Sequence, residues 1–326
     1  MRIIFVIVTV VSVISSGCAS ESFHVKVSDC EGNPVSNAIV SVGVSEPTHF
    51  WGSNRRTRKS AKYEARTDSN GVATVRFNCV NFMFGWSVEA EGFYRSEVHT
   101  ETFKDFDEVY IPPAPPKIIL HEHEKTGTAV LYRKKNPQPM CVHYRNNFKT
   151  PTTNGRFGFD MVKCDWVSPH GKGSEADFYL VRNVKTVPES GKFVIGSIEF
   201  NKGCGYYVSK QTGNPNFAST YVADDSNVFK TNIVLYGVRY GGRQPLTIPH
   251  PVIGDDEFLV MRTRAKFDKD GQLISANYSK ILAPFFLYPN VHAAEMVLNP
   301  TPLDRNLEWD MKTNLCPKPG MVGRQP

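Results

Sequence analysis

The segment CDWVSPHGKGSEADF, residues 164–178, holds the side chains of the sequence that most resemble a catalytic group. Asp165, Ser168 and His170 are the residue types of a hydrolytic triad, in which a base must lie within hydrogen-bond reach of the nucleophile. Neighbouring side chains of one loop diverge, so three residues this close rarely converge. The chain also lacks a G-x-S-x-G elbow. We therefore predict a ligand-facing or structural loop without a catalytic role.

The same loop has the composition of a sugar-binding surface. Trp166 could act as a stacking platform, while Asp165, His170 and Lys172 hydrogen-bond a saccharide. The alternative is that Trp166 anchors a β-loop and Lys172 faces water. The sequence leaves both interpretations open.

A pair of histidines spaced for metal binding occurs in HEHE, residues 121–124. His121 and His123 are two positions apart, so on a strand both point to the same face, and imidazole is the commonest metal ligand. No spacing identifies the remaining ligands. Exposed strand histidines are the favoured interpretation, a metal site is the alternative, and no cofactor is expected.

Cationic and aromatic residues are concentrated between residues 49 and 63, HFWGSNRRTRKSAKY. Arg55, Arg56 and Arg58 lie near Trp51, so the loop could attract phosphate or carboxylate groups and stack on flat ligands. A solvated hairpin is the alternative.

The chain begins MRIIFVIVTVVSVISSGCAS, with a cation, an apolar run and small residues up to Cys18. This is the layout of a secretory signal peptide, over residues 1–17, and the apolar run is too short for a permanent membrane span. The end, SSGC, resembles a bacterial lipobox, which implies a lipid on Cys18. We therefore expect an exported, membrane-anchored lipoprotein.

Seven cysteines are present, and an exported chain is expected to form disulfides. Cys30 and Cys79 are alone in the first half of the mature chain, so we predict that they pair. The other four allow three connectivities, with reduced, buried thiols as the alternative. These four are Cys141, Cys164, Cys204 and Cys316.

Cys204 lies between glycines in NKGCGYY and is the candidate for a cysteine nucleophile. With the His-Gly pair at residues 170–171, it resembles the L,D-transpeptidases, β-rich envelope enzymes that use histidine and cysteine. The Ser-His-Gly-Cys motif of that family is absent here, which removes the base. A disulfide half-cystine is the preferred interpretation.

The composition is that of an ordinary globular protein, with 40% apolar and 21% charged residues. A net charge of +6 favours anionic glycans or phosphates but falls short of a nucleic-acid signature. No specific nucleic-acid partner is expected.

Alternating apolar and polar residues dominate the chain. FHVKVSD, IVSVGV, GVATVRF and WSVEAEG are separated by Gly, Asn and Asp turns, which predicts an antiparallel sandwich over residues 18–111. PPAPP at residues 112–116 is a stiff linker. About ten strand-like runs follow, so residues 117–326 should form a larger β-sandwich or jelly-roll-like domain. Only NVHAAEMVL and SNVFKT look briefly helical.

VSDCEGNPVSNAIVSV, TDSNGVATVRF and VEAEGFY carry a family resemblance. Residues 22–111 resemble the carboxypeptidase-regulatory-like (prealbumin-like, Ig-type) domain. That resemblance implies a turn at Asn70-Gly71 with positive φ and no catalytic residue. Domains of this kind are stalks, spacers, or adhesion and glycan-binding modules.

Together these features predict a lipid-anchored protein of a bacterial envelope, in the periplasm or on the outer membrane. We expect a binding or structural module for a glycan or an anionic polymer, and we do not expect an enzyme. The alternative is an envelope hydrolase or transpeptidase acting on glycan or peptidoglycan, with Trp166 and His170 in its site.

Overall fold

The computed structural model describes most of the chain in two compact units, Met1–Arg133 and Lys134–Pro326. The described part contains strands and no helix, so the predicted all-β class is confirmed. It also holds no helix that is long and apolar enough to cross a membrane. The described residues are 20–48, 57–78, 83–99, 126–148, 150–152, 154–187, 191–212, 214, 217, 219–236, 257–286 and 291–316.

The first unit is a sandwich of two sheets. One has the strand order β4-β1-β7 and the other β3-β2-β5-β6. The strands are β1 Ser20–Asp29, β2 Ile39–Thr48, β3 Thr57–Arg66, β4 Val72–Asn78, β5 Met83–Glu89, β6 Ser96–His99 and β7 Thr126–Leu131.

Alternation along the strands builds the core of this sandwich. Phe23 and Val25 of β1 are buried against Val42 and Trp86 of the other sheet, with the Phe23 and Trp86 ring centroids 5.5 Å apart. Gly71 has a φ of 74°, which confirms the expected turn before β4. The sequence pattern therefore places the apolar residues of this unit correctly.

β7 corrects the predicted domain boundary. This strand pairs in parallel with β1, His24 opposite Thr126 and Asp29 opposite Leu131. The prediction that the second domain starts at residue 117 is therefore wrong, because residues 126–131 complete the first sandwich. The proline-rich linker at residues 112–116 lies outside the described residues.

The second unit is also built from two sheets. Their strand orders are β10-β9-β11-β12-β14 and β13-β15-β16-β17-β8-β18. The strands are β8 Gln138–Phe148, β9 Gly155–Asp160, β10 Asp165–Trp166, β11 Phe178–Val187, β12 Gly191–Glu199, β13 Gly205–Lys210, β14 Asn232–Tyr236, β15 Glu257–Phe267, β16 Leu273–Phe286, β17 Val291–Asn299 and β18 Trp309–Asn314.

The larger core fills the space between these two sheets. Phe159 and Phe178 come from the five-stranded sheet, while Leu259, Met261 and Met296 come from the six-stranded one. The second unit is therefore a sandwich too, as predicted. NVHAAEMVL is not helical, because it forms β17 between β16 and β8.

The opposite face of the six-stranded sheet is covered by loops. Val260 and Tyr278 on that face pack against Ala223 and Leu307, which belong to irregular segments. These covering segments carry most of the polar groups considered below.

Candidate functional site

The loop at residues 164–178 is structural. Trp166 is only 6% exposed, and its ring lies edge-on to Phe157 and Phe159 at centroid distances of 5.9 and 5.3 Å. A ring in this position cannot stack on a ligand. The prediction of a stacking platform is therefore wrong, and the alternative interpretation, in which Trp166 anchors a β-loop, is correct.

The triad residue types of this loop do not form a catalytic arrangement. Asp165 accepts the backbone amides of Trp166 and Lys172, at 2.8 and 3.0 Å, and so closes the loop. The exposed His170 ring packs edge-on against Phe157 at 5.1 Å. No hydrogen bond joins the side chains of Asp165, Ser168 and His170, so the three do not form a triad in this structure.

A buried charge network that the sequence did not reveal lies directly beneath this loop. Arg264 donates to Asp160 at 2.8 Å and to both oxygens of Asp177 at 2.8 and 2.9 Å. Asp177 also accepts the amide of Met161, and Asp160 that of Lys163. The network joins β15 of one sheet to β9 and the start of β11 in the other.

The two carboxylates respond differently to this environment. Burial opposes ionisation of Asp160, but backbone amides and Arg264 outweigh it, so the pKa of Asp160 is lowered. Burial raises the pKa of Asp177 despite its bonds to Arg264. Both carboxylates have their oxygens occupied by donors within the fold, so the group stabilises the sandwich and offers no open position to a substrate.

The cysteines form one disulfide, between Cys141 and Cys316, among the described residues. The predicted pairing of Cys30 with Cys79 is wrong. Cys30 is an exposed free thiol that follows β1, whereas Cys79 follows Asn78, which is opposite Ser20 at the other end of that strand. The strand separates these two ends by about 30 Å, and Cys79 itself lies outside the described residues.

Cys204 is buried and its sulfur accepts the amide of Ala265 at 3.3 Å. Burial raises the pKa of the Cys204 thiol, which disfavours the nucleophilic thiolate. The structure therefore supports neither a half-cystine nor a nucleophile at this position. Cys164 is likewise buried, and the described disulfide leaves it out.

A serine–lysine contact was also missed by sequence reasoning. Lys280 donates to the hydroxyl of Ser219 at 2.6 Å, and Ser219 donates to the carbonyl of Thr220 at 3.2 Å. Both side chains are buried, with Lys280 5% exposed. A substrate has no access to this hydroxyl, so the contact fastens the covering segment to β16.

Several predicted site residues cannot be placed. Cys18, Trp51, Arg55, Arg56, His121 and His123 lie outside the described residues. Arg58 belongs to β3, where its backbone is opposite Pro47. Within the described ranges, no group of three or more His, Cys, Asp or Glu side chains could hold a metal ion.

The outer face of the sheet β4-β1-β7 carries cations without carboxylates. Its central row is Thr74, His24 and Thr126, and the next row holds Lys26 between Val72 and Thr128. Arg76 lies opposite Ser22. The outward positions described on these strands are exposed or partly exposed, and none is acidic.

Hydroxyl groups hold the imidazole of this cationic face in place. His24 lies 2.9 Å from the Thr74 hydroxyl and 3.5 Å from that of Ser22. Neither Lys26 nor Arg76 forms an ion pair in the described part of the chain. The face therefore presents two uncompensated side-chain charges among hydroxyl donors.

The other sheet of the first unit shows the opposite arrangement. On its outer face Lys62 pairs with Glu64 at 2.6 Å, and Arg95 pairs with Glu89 and Glu97 at 3.1 and 2.9 Å. Lys62 and Arg95 are therefore neutralised locally, while Arg66 of the same sheet donates to Asn37. The cationic face of β4-β1-β7 is thus a distinctive feature of the unit and the best candidate for a binding surface.

Comparison of the sequence with protein-family models gave no match, and comparison with curated proteins gave none either.

Proposed function

We propose that this protein is an exported binding module whose first unit recognises an anionic polymer through the outer face of β4-β1-β7. The observation that carries the proposal is a difference in ion pairing between the two sheets of the first unit. Lys26 and Arg76 lack described carboxylate partners on a solvent-facing sheet, whereas Lys62 and Arg95 of the opposite sheet are each paired with a carboxylate.

The geometry of the face suits an extended ligand better than a compact one. Ser22, opposite Arg76, and Lys26 are four residues apart on β1, which places the two cations about 14 Å apart along the strand direction. Serine and threonine hydroxyls between them can donate to oxyanions or sugar hydroxyls. An open sheet surface of this kind therefore favours a chain of regularly spaced negative charges, such as an acidic polysaccharide.

The cellular setting that we propose is the bacterial envelope. The first twenty residues have the layout of a lipoprotein signal peptide ending before Cys18. A disulfide between Cys141 and Cys316 is typical of proteins in oxidising compartments. A lipid on Cys18 would hold the molecule at a membrane, and Cys18→Ser should move it from the membrane to the soluble fraction. Membrane sedimentation of the serine variant would contradict the anchor.

We also propose that the first unit is related to the carboxypeptidase-regulatory-like domains that its turn motifs resemble. Its two-sheet sandwich and the turn at Gly71 support this relation. Membership would agree with a spacer or glycan-binding role.

The proposal is tested by binding to immobilised polygalacturonate, with neutral dextran as the comparison. Wild-type protein should bind the acidic polymer at low salt, lose affinity as salt rises, and ignore dextran. Lys26→Gln combined with Arg76→Gln should weaken binding at least about tenfold, the loss of two charge-assisted contacts.

The matched control replaces Lys62 and Arg95 by glutamine, because these cations are already paired. It should reduce binding much less. Equal losses in the two double variants, or equal binding of dextran by the wild type, would refute recognition by this face.

A further inference from the structure

A cleft of about 340 Å³ lies in the second unit. Three segments line it: Lys135 and Asn136, Tyr221 and Val222, and Leu303, Asp304, Arg305, Asn306 and Glu308. Sites for small molecules typically begin at about 300 Å³. The cleft therefore has room for a ligand of a few carbon atoms with one polar group.

The lining loop at residues 303–308 is held in place by two buried asparagines, Asn299 and Asn306. The side chain of Asn299 donates to the carbonyls of Asp304 and Asn306 at 3.3 and 3.0 Å. Asn306 donates to the carbonyl of Asn136 at 2.7 Å and accepts the amide of Glu308 at 2.9 Å. A loop fixed in this way can bind a ligand without losing further conformational entropy.

Two of the lining residues have exposed apolar side chains. Leu303 is 47% exposed and has a φ of 63°, a region that bulky residues rarely occupy. Its amide bonds to the carbonyl of Ala276 at 2.8 Å, which fixes this conformation. Val222, which also lines the cleft, is 48% exposed. The backbone thus keeps an apolar side chain in solvent at the edge of the cleft.

The carboxylates and the cations that line the cleft differ in their hydrogen-bond and ion-pair partners. Both oxygens of Glu308 accept backbone amides, from Lys135 at 2.8 Å and Asn136 at 2.6 Å, and Asp304 accepts the amide of Asn306. Lys135 and Arg305 form no ion pair with a described carboxylate. The carboxylates thus face the backbone, while the cations remain available to a ligand.

Lys135 is also positioned by an aromatic ring. Its ammonium group lies 4.3 Å from the centroid of Tyr221, whose other neighbour is Phe217 at 4.4 Å. Asp224 is close enough for Arg305 to lower its pKa, after the larger effect of the Ser226 hydrogen bonds. Asp224 does not form an ion pair with Arg305, so it leaves the guanidinium accessible.

We propose that this cleft binds a small amphipathic carboxylate. Lys135 and Arg305 would bind the carboxylate, and the apolar chain would lie on Leu303 and Val222. This site belongs to the second unit and is independent of polymer binding by the first.

Isothermal titration calorimetry with octanoate tests the proposal on the full chain. Octanoate should bind, whereas acetate, which lacks the chain, and octanol, which lacks the charge, should bind at least about tenfold more weakly. If octanol bound with the same affinity as octanoate, or if octanoate did not bind at all, the proposal would be overturned.

Two variants assign the contacts. Arg305→Gln should weaken the binding of octanoate at least about fivefold but leave the binding of octanol unchanged. Leu303→Asn suits the positive φ, so the fold is retained while the apolar contact is lost. It should weaken octanoate by a similar factor.

The controls are Lys172→Gln and Val228→Asn, which alter an exposed cation and an 83% exposed valine outside the cleft. They should leave octanoate binding unchanged. An equal effect of the controls would show that octanoate binds elsewhere. Loss of octanoate binding with unchanged polygalacturonate binding would separate this site from that of the first unit.

Discussion

Replacing Arg264 by methionine should strongly destabilise the second unit. The guanidinium is 16% exposed and neutralises two carboxylates whose side chains are 1% and 0% exposed, Asp160 and Asp177. Methionine keeps much of the apolar volume but removes the charge and every donor. The variant therefore leaves two buried carboxyl groups without their shared cation.

Removing one partner of a buried ion pair costs about 3–5 kcal/mol. The matched control is Arg156→Met, because Arg156 pairs with Glu199 on the surface, where the side chains are 49% and 35% exposed. Such a pair contributes about 1 kcal/mol or less. For a unit of this size, about 2–4 °C of melting temperature corresponds to 1 kcal/mol, so Arg264→Met should lower it by about 6–20 °C.

Scanning calorimetry of the full chain measures these changes, and the pH dependence separates charge from packing. Burial already raises the pKa of Asp177 in the presence of Arg264, and loss of the cation raises it further. A folded-state pKa above the unfolded value makes stability fall as pH rises. The loss caused by Arg264→Met should therefore be larger at about pH 8 than at about pH 5. A pH-independent loss no larger than that of Arg156→Met would refute the reasoning.

Three further outcomes are expected in the second unit. Trp166→Ala should cost about 3–5 kcal/mol in denaturant unfolding, because it empties a buried aromatic site; a change below about 1 kcal/mol would contradict the structural role. Burial and a hydrogen bond to Asp225 raise the pKa of Tyr278 to about 12. Subtracting the phenolate titration of Tyr278→Phe from that of the wild type should show this late-titrating group, and stability linked to it is lost as pH rises through that value. Cys141→Ala combined with Cys316→Ala removes a disulfide between residues that are 175 positions apart. In denaturant unfolding, the double variant should lower the unfolding free energy by up to about 5 kcal/mol.

The sandwich architecture could be predicted from the sequence, because inward and outward positions alternate along strands such as β1 and β4. The boundary between the two units could not be predicted in this way. β7 pairs with β1 across roughly a hundred residues, and a parallel pairing at that separation leaves no local signal. The helical prediction for NVHAAEMVL was wrong for a related reason. β17 is central in its sheet and buried over Met296–Asn299, so its apolar run resembles that of a buried helix.

The predicted Cys30–Cys79 pairing was wrong because it assumed that two cysteines in the same half of the chain lie close together. Register decides which strand ends meet, and it places Ser20, at the end opposite Cys30, beside Asn78. The Cys141–Cys316 link joins β8 to the segment after β18. Asn314 reinforces it by bonding to both the amide and the carbonyl of Val142. Nothing in the spacing of these cysteines distinguishes that pairing from the alternatives.

Crowding of reactive side chains in sequence was a poor guide to binding in this protein. A loop of fifteen residues between strands has many backbone amides to satisfy, and nearby carboxylates satisfy them: Asp165 and Asp160 accept amides of residues 166, 172 and 174. Groups occupied in this way have no capacity for a ligand. The more informative signal is a charged group that the fold leaves unpaired, such as Lys26 and Arg76 or Lys135 and Arg305. Within each pair the members are far apart in sequence and come to share one sheet face or one cleft only through strand register or loop packing, so they can be recognised only after the fold is known.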